Sequence, residues 1–475
     1  MKKHLLVSYA WSINNIGDMG IQGGLFTLLK ELAPDLKVKL INDLPESDPA
    51  YAHYKEVLPP YNPNGDVLPM PFFDLIAGDP MPDAASEAIR NAQIKGNAWN
   101  ALVARHGKLK LEQFRTGTIS SFDAEVLVDD LLNRFPLEIM EDLKVHFPDL
   151  AEAFQNAGFV YYNSGTTLNF GRLGVRRLFG YTLPLAMSLI LARALNIPYG
   201  IGSQSFDLIE WPMDLLYEKL FADAKFVYCR DTDSLSYLKQ KKFTFQSIDF
   251  RPDTTVYFKG GDEAWKEQFF KENALEENKF MTVALRISAP KPKYHDPTGG
   301  SVTPERCRHQ MEQMKFLIEE YIKKSGHKVL IAHETRDTLE DARTHLYNIL
   351  SDEAKANTVY LDHFWTPEQA LSVYRASTLL VSIEMHSIIM AIGNEVPFIH
   401  APYVECGRKR QMVRDMELPE FLIDLDAADS GKQMLSRAMD ILENRPQIQE
   451  RLRRVRTRLA ALSAKSMTEV STFFK

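Results

Sequence analysis

The sequence predicts an α/β protein of two open domains built on parallel sheets, and three observations predict it. The chain has 475 residues, whereas a single hydrophobic core stops growing at roughly 250–300 residues. Short apolar runs alternate with helix-spaced segments on either side of a looser stretch at 255–278, the pattern of strands joined by crossover helices and covered on both faces. Several of the apolar runs end in loops of small, amide-bearing or charged residues, where open parallel sheets place ligands.

Taken in order, residues 5–9 read as a first strand, followed by a polar, glycine-bearing loop to Gly20 and by helix-spaced Ile21, Leu25, Leu28, Leu29 and Leu32. Residues 37–42 alternate as a second strand. The Pro-, Asp-, Gly- and Asn-rich residues 45–82 read as a long surface excursion, and 83–156 as mostly helical. A strand at 159–162 enters Asn163-Ser164-Gly165; helices at 183–195 and 213–221 alternate with strands at 199–202 and 226–230. The alternation restarts at 281–286 and continues with strands at 328–332, 357–361 and 378–382; after Gly431 the period is helical, broken at Pro446. This gives an N-terminal domain at 1–265 with a variable helical insertion at about 45–156, a C-terminal domain at 275–445, and a final helix at 446–475 that crosses back or stands alone.

Net charge is −7 and the pI about 6.0, so no overall field recruits nucleic acid or an anionic membrane, and an anionic ligand must be held locally. Cys229, Cys307 and Cys406 lie far apart without zinc-site spacing, and an odd number suits a reducing compartment, hence the cytoplasm. The apolar run after Met1-Lys2-Lys3 ends in polar residues without a cleavage-like site and reads as a strand, not a signal peptide. The most apolar helix, 183–195, is interrupted by Arg193 and falls short of the roughly 20 residues of a membrane span. Arg451, Arg453, Arg454, Arg456 and Arg458 make a basic face on the last helix, either solvated or docking peripherally at a membrane near a lipid-linked substrate.

Seven strand ends carry the candidate chemistry. Asn15, Gly17 and Asp18 sit between the first strand and first helix, where glycines permit tight turns and free amides suit an anion; equally, Asn15 and Asp18 shape the turn and cap the helix. Gly165, and Gln204 in Gly200-Ile201-Gly202-Ser203-Gln204, mark two more strand-end loops, each also explicable as a steric turn. Arg230 ends a strand and grips carboxylate or phosphate with two hydrogen bonds, or forms a structural ion pair, while Asp231 caps the following helix; Arg286 faces the same choice. In Ser382-Ile383-Glu384-Met385-His386-Ser387 a strand ends and a helix begins, and at strand spacing Glu384 and His386 share a face. A carboxylate beside a histidine fixes its tautomer, making His386 a candidate proton donor near neutral pH. His333 follows another strand and is a further ligand-facing candidate, or part of a surface loop. The histidines lack paired metal-ligand spacing, and neither Gly-x-Ser-x-Gly nor the phosphate-cradling Lys-Ser/Thr loop is present. No metal or cofactor is expected.

In order, Asn15-Ile16-Gly17-Asp18, the loop at Gly165, Gly200-Ile201-Gly202, Val227-Tyr228-Cys229-Arg230-Asp231, Pro252-Asp253, Met385-His386-Ser387, Pro397-Phe398-Ile399, Tyr403 and Lys409 resemble the polysaccharide pyruvyl transferase family, over roughly 5–425. The resemblance implies two Rossmann-like domains in the manner of the glycosyltransferase type B (GT-B) fold. It implies an enzyme that moves the enolpyruvyl group of phosphoenolpyruvate, or another anionic donor, onto paired hydroxyls of a glycan or lipid-linked sugar acceptor, forming a ketal and releasing phosphate. His386 is then the acid or base, Arg230 and Arg286 bind the anion with Lys409, and Asn15, Asp18 and Gln204 contact the acceptor. Family members usually carry arginine two residues before the histidine, where this chain has Glu384; a carboxylate there repels the donor unless another cation compensates, or serves as the base. The competing readings are a nucleotide-sugar glycosyltransferase on the same architecture and a catalytically silent glycan-binding protein. The acceptor sugar, linkage and oligomeric state are not encoded legibly.

Overall fold

Two all-parallel sheets carry the twelve strands found among the residues that the computed structural model describes, namely 4–10, 13–46, 48–58, 65–76, 96–168, 178–287 and 303–474. The first contains β1 (His4–Ala10), β2 (Val38–Asn42), β3 (Val67–Leu68), β4 (Ala157–Tyr162), β5 (Tyr199–Gln204), β6 (Val227–Cys229) and β7 (Ile248–Phe250), in the order β3-β2-β1-β4-β5-β6-β7. The second contains β8 (Phe280–Leu285), β9 (Lys328–His333), β10 (Thr358–Tyr360), β11 (Leu379–Ser382) and β12 (Phe398–His400), in the order β10-β9-β8-β11-β12. In each sheet the strand order reverses once, between β1 and β4 and between β8 and β11, the arrangement of a Rossmann-like sheet with its ligand crevice at the reversal.

The chain divides into two compact units, Met1–Trp11, Leu29–Pro252 and Lys465–Lys475 in one, Ser12–Leu28 and Asp253–Ala464 in the other. In the first, strands β4 and β5 are buried at every position, as expected of parallel strands covered on both faces. The helix Leu183–Ala194 is apolar nearly all round because its first ten residues are buried. It shares one core with the helices Ala98–His106, Lys108–Thr116, Ser121–Asn133, Phe135–His146 and Pro148–Asn156, through Leu102, Phe114, Leu131, Ile139 and Phe154.

The expected surface excursion at 45–82 is corrected in its described parts. Val67 pairs with Leu40 in the sheet, and Phe72 and Leu75 of the helix Phe72–Leu75 are fully buried. A two-residue strand is too short to show a period, so turn-forming neighbours concealed it. Residues 59–64 and 77–82, like 83–95 of the expected helical run, lie outside the described residues.

In the second unit, local chemistry sets the helix ends. The Thr303 side chain accepts the Arg306 N–H at the start of Pro304–Ser325, which stops at Gly326 with φ 70°; Thr366 and Gln369 form a capping box on Pro367–Ala376. The first helix, Ile16–Leu32, brings residues 16–28 into this unit. There Gly24 lies so close to the 254–255 backbone that a Cβ would come 1.9 Å from the Thr254 carbonyl oxygen. Since backbone cannot yield as a side-chain tip can, Gly24→Ala is expected to cost roughly 1–3 kcal/mol, read as a lowered denaturation midpoint at unchanged m-value.

The helix Ser430–Ser471 leaves helical geometry at Asn444 (φ −116°), two residues before Pro446, as a ring that removes an N–H and clashes with the preceding turn requires. Its arginines are met by acids of the same unit: Arg453 and Arg456 pair with Glu395, Arg451 with Glu420, Arg458 with Glu417. Its last residues belong to the first unit, where Phe473 packs 4.8 Å from Phe159 and Tyr228 donates to Glu469. All three cysteines are buried and none is in a disulfide. Among the described residues, no helix is long and apolar enough to cross a membrane.

Candidate functional site

The residues that come together lie at the carboxyl rim of the second sheet. β8 and β11 are neighbours there, and the Ile383 N–H donates to the Ala284 carbonyl at 3.2 Å, which sets Arg286 beside Glu384. Strand β11 ends at Ser382 and the helix Met385–Gly393 begins three residues later. The turn is fixed by Ser382, whose hydroxyl accepts the Glu384 N–H at 3.0 Å and donates to the Glu384 carbonyl at 2.8 Å.

This turn corrects the expectation that Glu384 and His386 share a face. Glu384 occupies the N-cap position and His386 the first helical turn, so the two are separated by about 100° per residue instead of the alternation of a strand. They point to different partners. The Glu384 carboxylate lies 3.1 Å from Arg286 Nη1 and 2.7 Å from Lys409 Nζ. Burial pushes this carboxyl up, but Arg286 and then Lys409 outweigh it and hold the group well below the usual carboxylate range. Arg286, reciprocally, is raised chiefly by Glu384. The two cationic side chains remain 24% and 21% exposed, against 5% for Glu384.

His386 is 7% exposed and lies between two other acids. Its Nδ1 is 3.2 Å from Glu334 Oε1, and its Nε2 is 3.9 Å from Asp253 Oδ2. A carboxylate only accepts, so the ring presents its Nδ1 hydrogen to Glu334, and Nε2 is the nitrogen turned towards Asp253. Glu334, the residue after β9, also accepts from the Ser387 N–H at 2.8 Å and the Ser387 hydroxyl at 2.7 Å, so it caps the Met385–Gly393 helix from another strand. Asp253 accepts from the Thr255 N–H at 3.0 Å and hydroxyl at 2.7 Å. Gly17 closes the site: a Cβ there would come 2.4 Å from the His386 Cβ and Nδ1. The Ile16 N–H donates to the Glu334 carbonyl at 2.9 Å, which pins the 13–18 turn to the site.

Several expected ligand contacts are corrected by burial. Asn15 takes the capping alternative, its Oδ1 accepting from Gly17 N–H at 2.8 Å and Asp18 N–H at 3.3 Å; Asp18 stays half-buried in the first helical turn. His333 faces no ligand: it is fully buried, hydrogen-bonded through Nε2 to the Leu361 carbonyl at 2.8 Å, and lowered by burial to about 4. Ser387 is fully buried and spends its hydroxyl on Glu334. In the first unit, Gln204 is fully buried and ties the loop after β4, donating to the Asn163 carbonyl and accepting from the Thr167 N–H at 3.2 Å. Gly165 pairs with Gln204 as a parallel bridge at φ 147°. Arg230 is 3% exposed and donates to Ser205 Oγ at 2.9 Å; Asp231 caps Thr232–Gln240 by accepting from the Ser234 N–H. These belong to a separate rim from Arg286 and His386.

Sequence reasoning overlooked Glu334 and Asp253 as partners of His386. Glu334 adjoins His333 at the same strand end, but β9 is almost wholly buried and shows no alternation to reveal which neighbour faces the crevice. Among the described residues, no group of three or more His, Cys, Asp or Glu side chains is arranged to hold a metal ion.

No curated protein matches the sequence. Among solved structures, a glycosyltransferase from Rickettsia africae is similar with a TM-score of 0.52 at 10% identity, covering 100% of this chain and 98% of that one. A UDP-glucose:anthocyanidin 3-O-glucosyltransferase gives 0.52 at 12% identity, with 99% of each chain covered. The α,α-trehalose 6-phosphate synthase of Burkholderia multivorans gives 0.50 at 11%, covering 100% and 98%. At such identities these likenesses bear on the fold, and the fold is GT-B, with two Rossmann-like domains. The family model that matches the sequence is that of polysaccharide pyruvyl transferase, and it spans residues 15–403, from the turn that closes on His386 to the loop beyond β12. By that match the chain belongs to the polysaccharide pyruvyl transferase family.

Proposed function

We propose that the chain is a cytoplasmic transferase that moves the pyruvyl group of phosphoenolpyruvate onto two hydroxyls of a sugar in a cell-surface or exopolysaccharide precursor. The observation that carries this reading is the pairing of Glu384 with both Arg286 and Lys409 at 3.1 and 2.7 Å. The carboxylate that replaces the family's usual arginine is outnumbered by cations, and the seat keeps one positive charge for an anionic donor.

The chemistry asks for a proton on the donor's methylene carbon, which leaves positive charge on the carbon bearing the phosphate. One sugar hydroxyl then forms a C–O bond there and loses its proton. The C–O bond to phosphate breaks with its electrons, and the second hydroxyl closes the ketal, losing its own proton. His386 supplies and recovers protons at Nε2, held by Glu334 at Nδ1; Asp253 stands beside the exchanging nitrogen to steady the charged ring. Arg286 and Lys409 hold the donor's acidic end. Asp18 contacts the acceptor, while Asn15, Gly17, His333 and Ser387 shape the site, and Gly165, Gln204 and Arg230 build the supporting loop of the first unit.

The test mixes purified protein, phosphoenolpyruvate and candidate glycan acceptors, and follows phosphate release with mass analysis of the glycan. Acceptor-dependent phosphate release with a pyruvyl ketal on the product is expected. Thermal stabilisation by nucleotide sugars and none by phosphoenolpyruvate would replace this reading with glycosyl transfer, and sugar binding without turnover of either donor with a silent binding protein.

A further inference from the structure

Three carboxylates meet at the rim of the second sheet, and two have neutral partners of their own. Glu334 is held by the N–H and hydroxyl of Ser387, Asp253 by the N–H and hydroxyl of Thr255; each thereby caps a helix start. Glu384 behaves differently. It stands at the N-cap position of Met385–Gly393 yet makes no side-chain cap hydrogen bond, although acidic side chains at a helix start are favoured by the unpaired amides and the helix dipole. Glu334 performs that capping from another strand, and the Glu384 carboxylate instead turns to Arg286 and Lys409, buried to 5% exposure beneath two cations that keep about a quarter of their side-chain surface open.

The position of this cluster gives it meaning. Arg286 follows β8 and Glu384 follows β11, the two strands between which the sheet order reverses, where Rossmann-like sheets seat ligands. The Glu384 backbone is fixed by its two hydrogen bonds with Ser382, and with the Ser387 N–H already taken by Glu334 the two cations are the partners that its side chain has.

We propose that Glu384 is a built-in occupant of the donor's anion seat: its carboxylate stands where the donor's carboxylate or phosphate binds Arg286 and Lys409, and the donor must displace it. Glu384 thus determines donor affinity and discriminates by charge. An anion with two or more negative charges displaces it; a neutral or singly charged ligand does not. This rests on the reading that the rim binds an anionic donor, and deepens it by naming the residue that sets the threshold.

The test measures binding of inorganic phosphate and of phosphoenolpyruvate by calorimetry to the full chain and to Glu384→Gln, which keeps the side chain's shape and removes its charge. Removing a like charge beside the bound anion is expected to tighten both dissociation constants about tenfold. In turnover, KM for phosphoenolpyruvate is expected to fall by a similar factor. Equal affinity in the two proteins, or weaker binding in Glu384→Gln at an unchanged melting temperature, overturns the proposal. A kcat lowered by two orders of magnitude at unchanged KM also overturns it, and makes Glu384 a base. If Glu384→Gln melts markedly lower, Glu384→Asp, whose shorter carboxylate keeps the charge but draws back from the cations, replaces it and is held to the same criterion of tighter phosphate binding. Absence of anion binding in every protein defeats the underlying reading of the rim, a separate result from equal binding in all of them.

Discussion

His386→Asn is expected to lower phosphate release from phosphoenolpyruvate by about 10²–10⁴-fold, the span typical of a positioned acid–base group, while leaving the thermal midpoint nearly where it was. Asparagine is the informative substitution because its Nδ2 falls near the imidazole Nδ1 and still donates to Glu334, 3.2 Å from that nitrogen in the parent. What is lost is Nε2, the atom facing Asp253, and with it the exchangeable proton. Phosphoenolpyruvate affinity should change little if, as proposed, Arg286 and Lys409 hold the anion, since neither contacts His386 through Nε2. Steady-state kinetics beside a melting curve decides the matter: retention of more than a tenth of kcat removes His386 from proton transfer. Glu334→Gln should lose both activity and stability, because Glu334 holds the ring and also caps the helix that carries it.

The strands that sequence periodicity revealed most clearly are those buried on both faces. β4, β5 and β8 show no exposed position; β4 and β8 read as nearly continuous apolar runs, while β5 is marked by Tyr199 and Ile201 between glycines. β3, with two residues, is too short to show a period, and β7, Ile248-Asp249-Phe250 with no fully buried position, carries no apolar run. The site follows the same division. That chemistry gathers at the ends of apolar runs was legible, because helix starts and open loops there follow from the crossover connection. Which residues meet was not. Glu334 and His386 are separated by 52 residues, and Arg286 and Glu384 by 98; only the order of strands in the sheet brings them together, and periodicity is silent on order. Strand spacing puts Glu384 and His386 on a common face only if it continues past Ser382, where the chain changes from a two-residue to a 3.6-residue repeat.

Acid should unfold this protein through a pair of histidines that the chemistry does not use. His333 and His400 are fully buried; each makes one hydrogen bond to a backbone carbonyl, of Leu361 at 2.8 Å and of Ser382 at 3.0 Å. Burial lowers each from 6.5 to about 4, with Arg343 and His363 adding to the effect on His333, and Lys409 and Arg410 on His400. A group protonated more readily in the unfolded chain makes stability rise with pH. Their contribution is therefore complete above 6.5, falls as pH drops from 6.5 towards 4, and amounts to roughly 3 kcal/mol for each histidine by the lower limit. Against a typical total of about 5–15 kcal/mol, two such losses are large. Glu384, held low by its cations after burial has been outweighed, keeps its stabilisation until pH falls to about the unfolded carboxyl's 4.5 and gives it up below that, so it adds only at the acid edge of this window. Denaturant midpoints at pH 7, 5.5 and 4.5 should fall steeply for the parent and much less for the double variant His333→Gln, His400→Asn, in which each replacement amide keeps the donor to its carbonyl but takes up no proton. An equally steep fall in the double variant would assign the acid sensitivity to other groups.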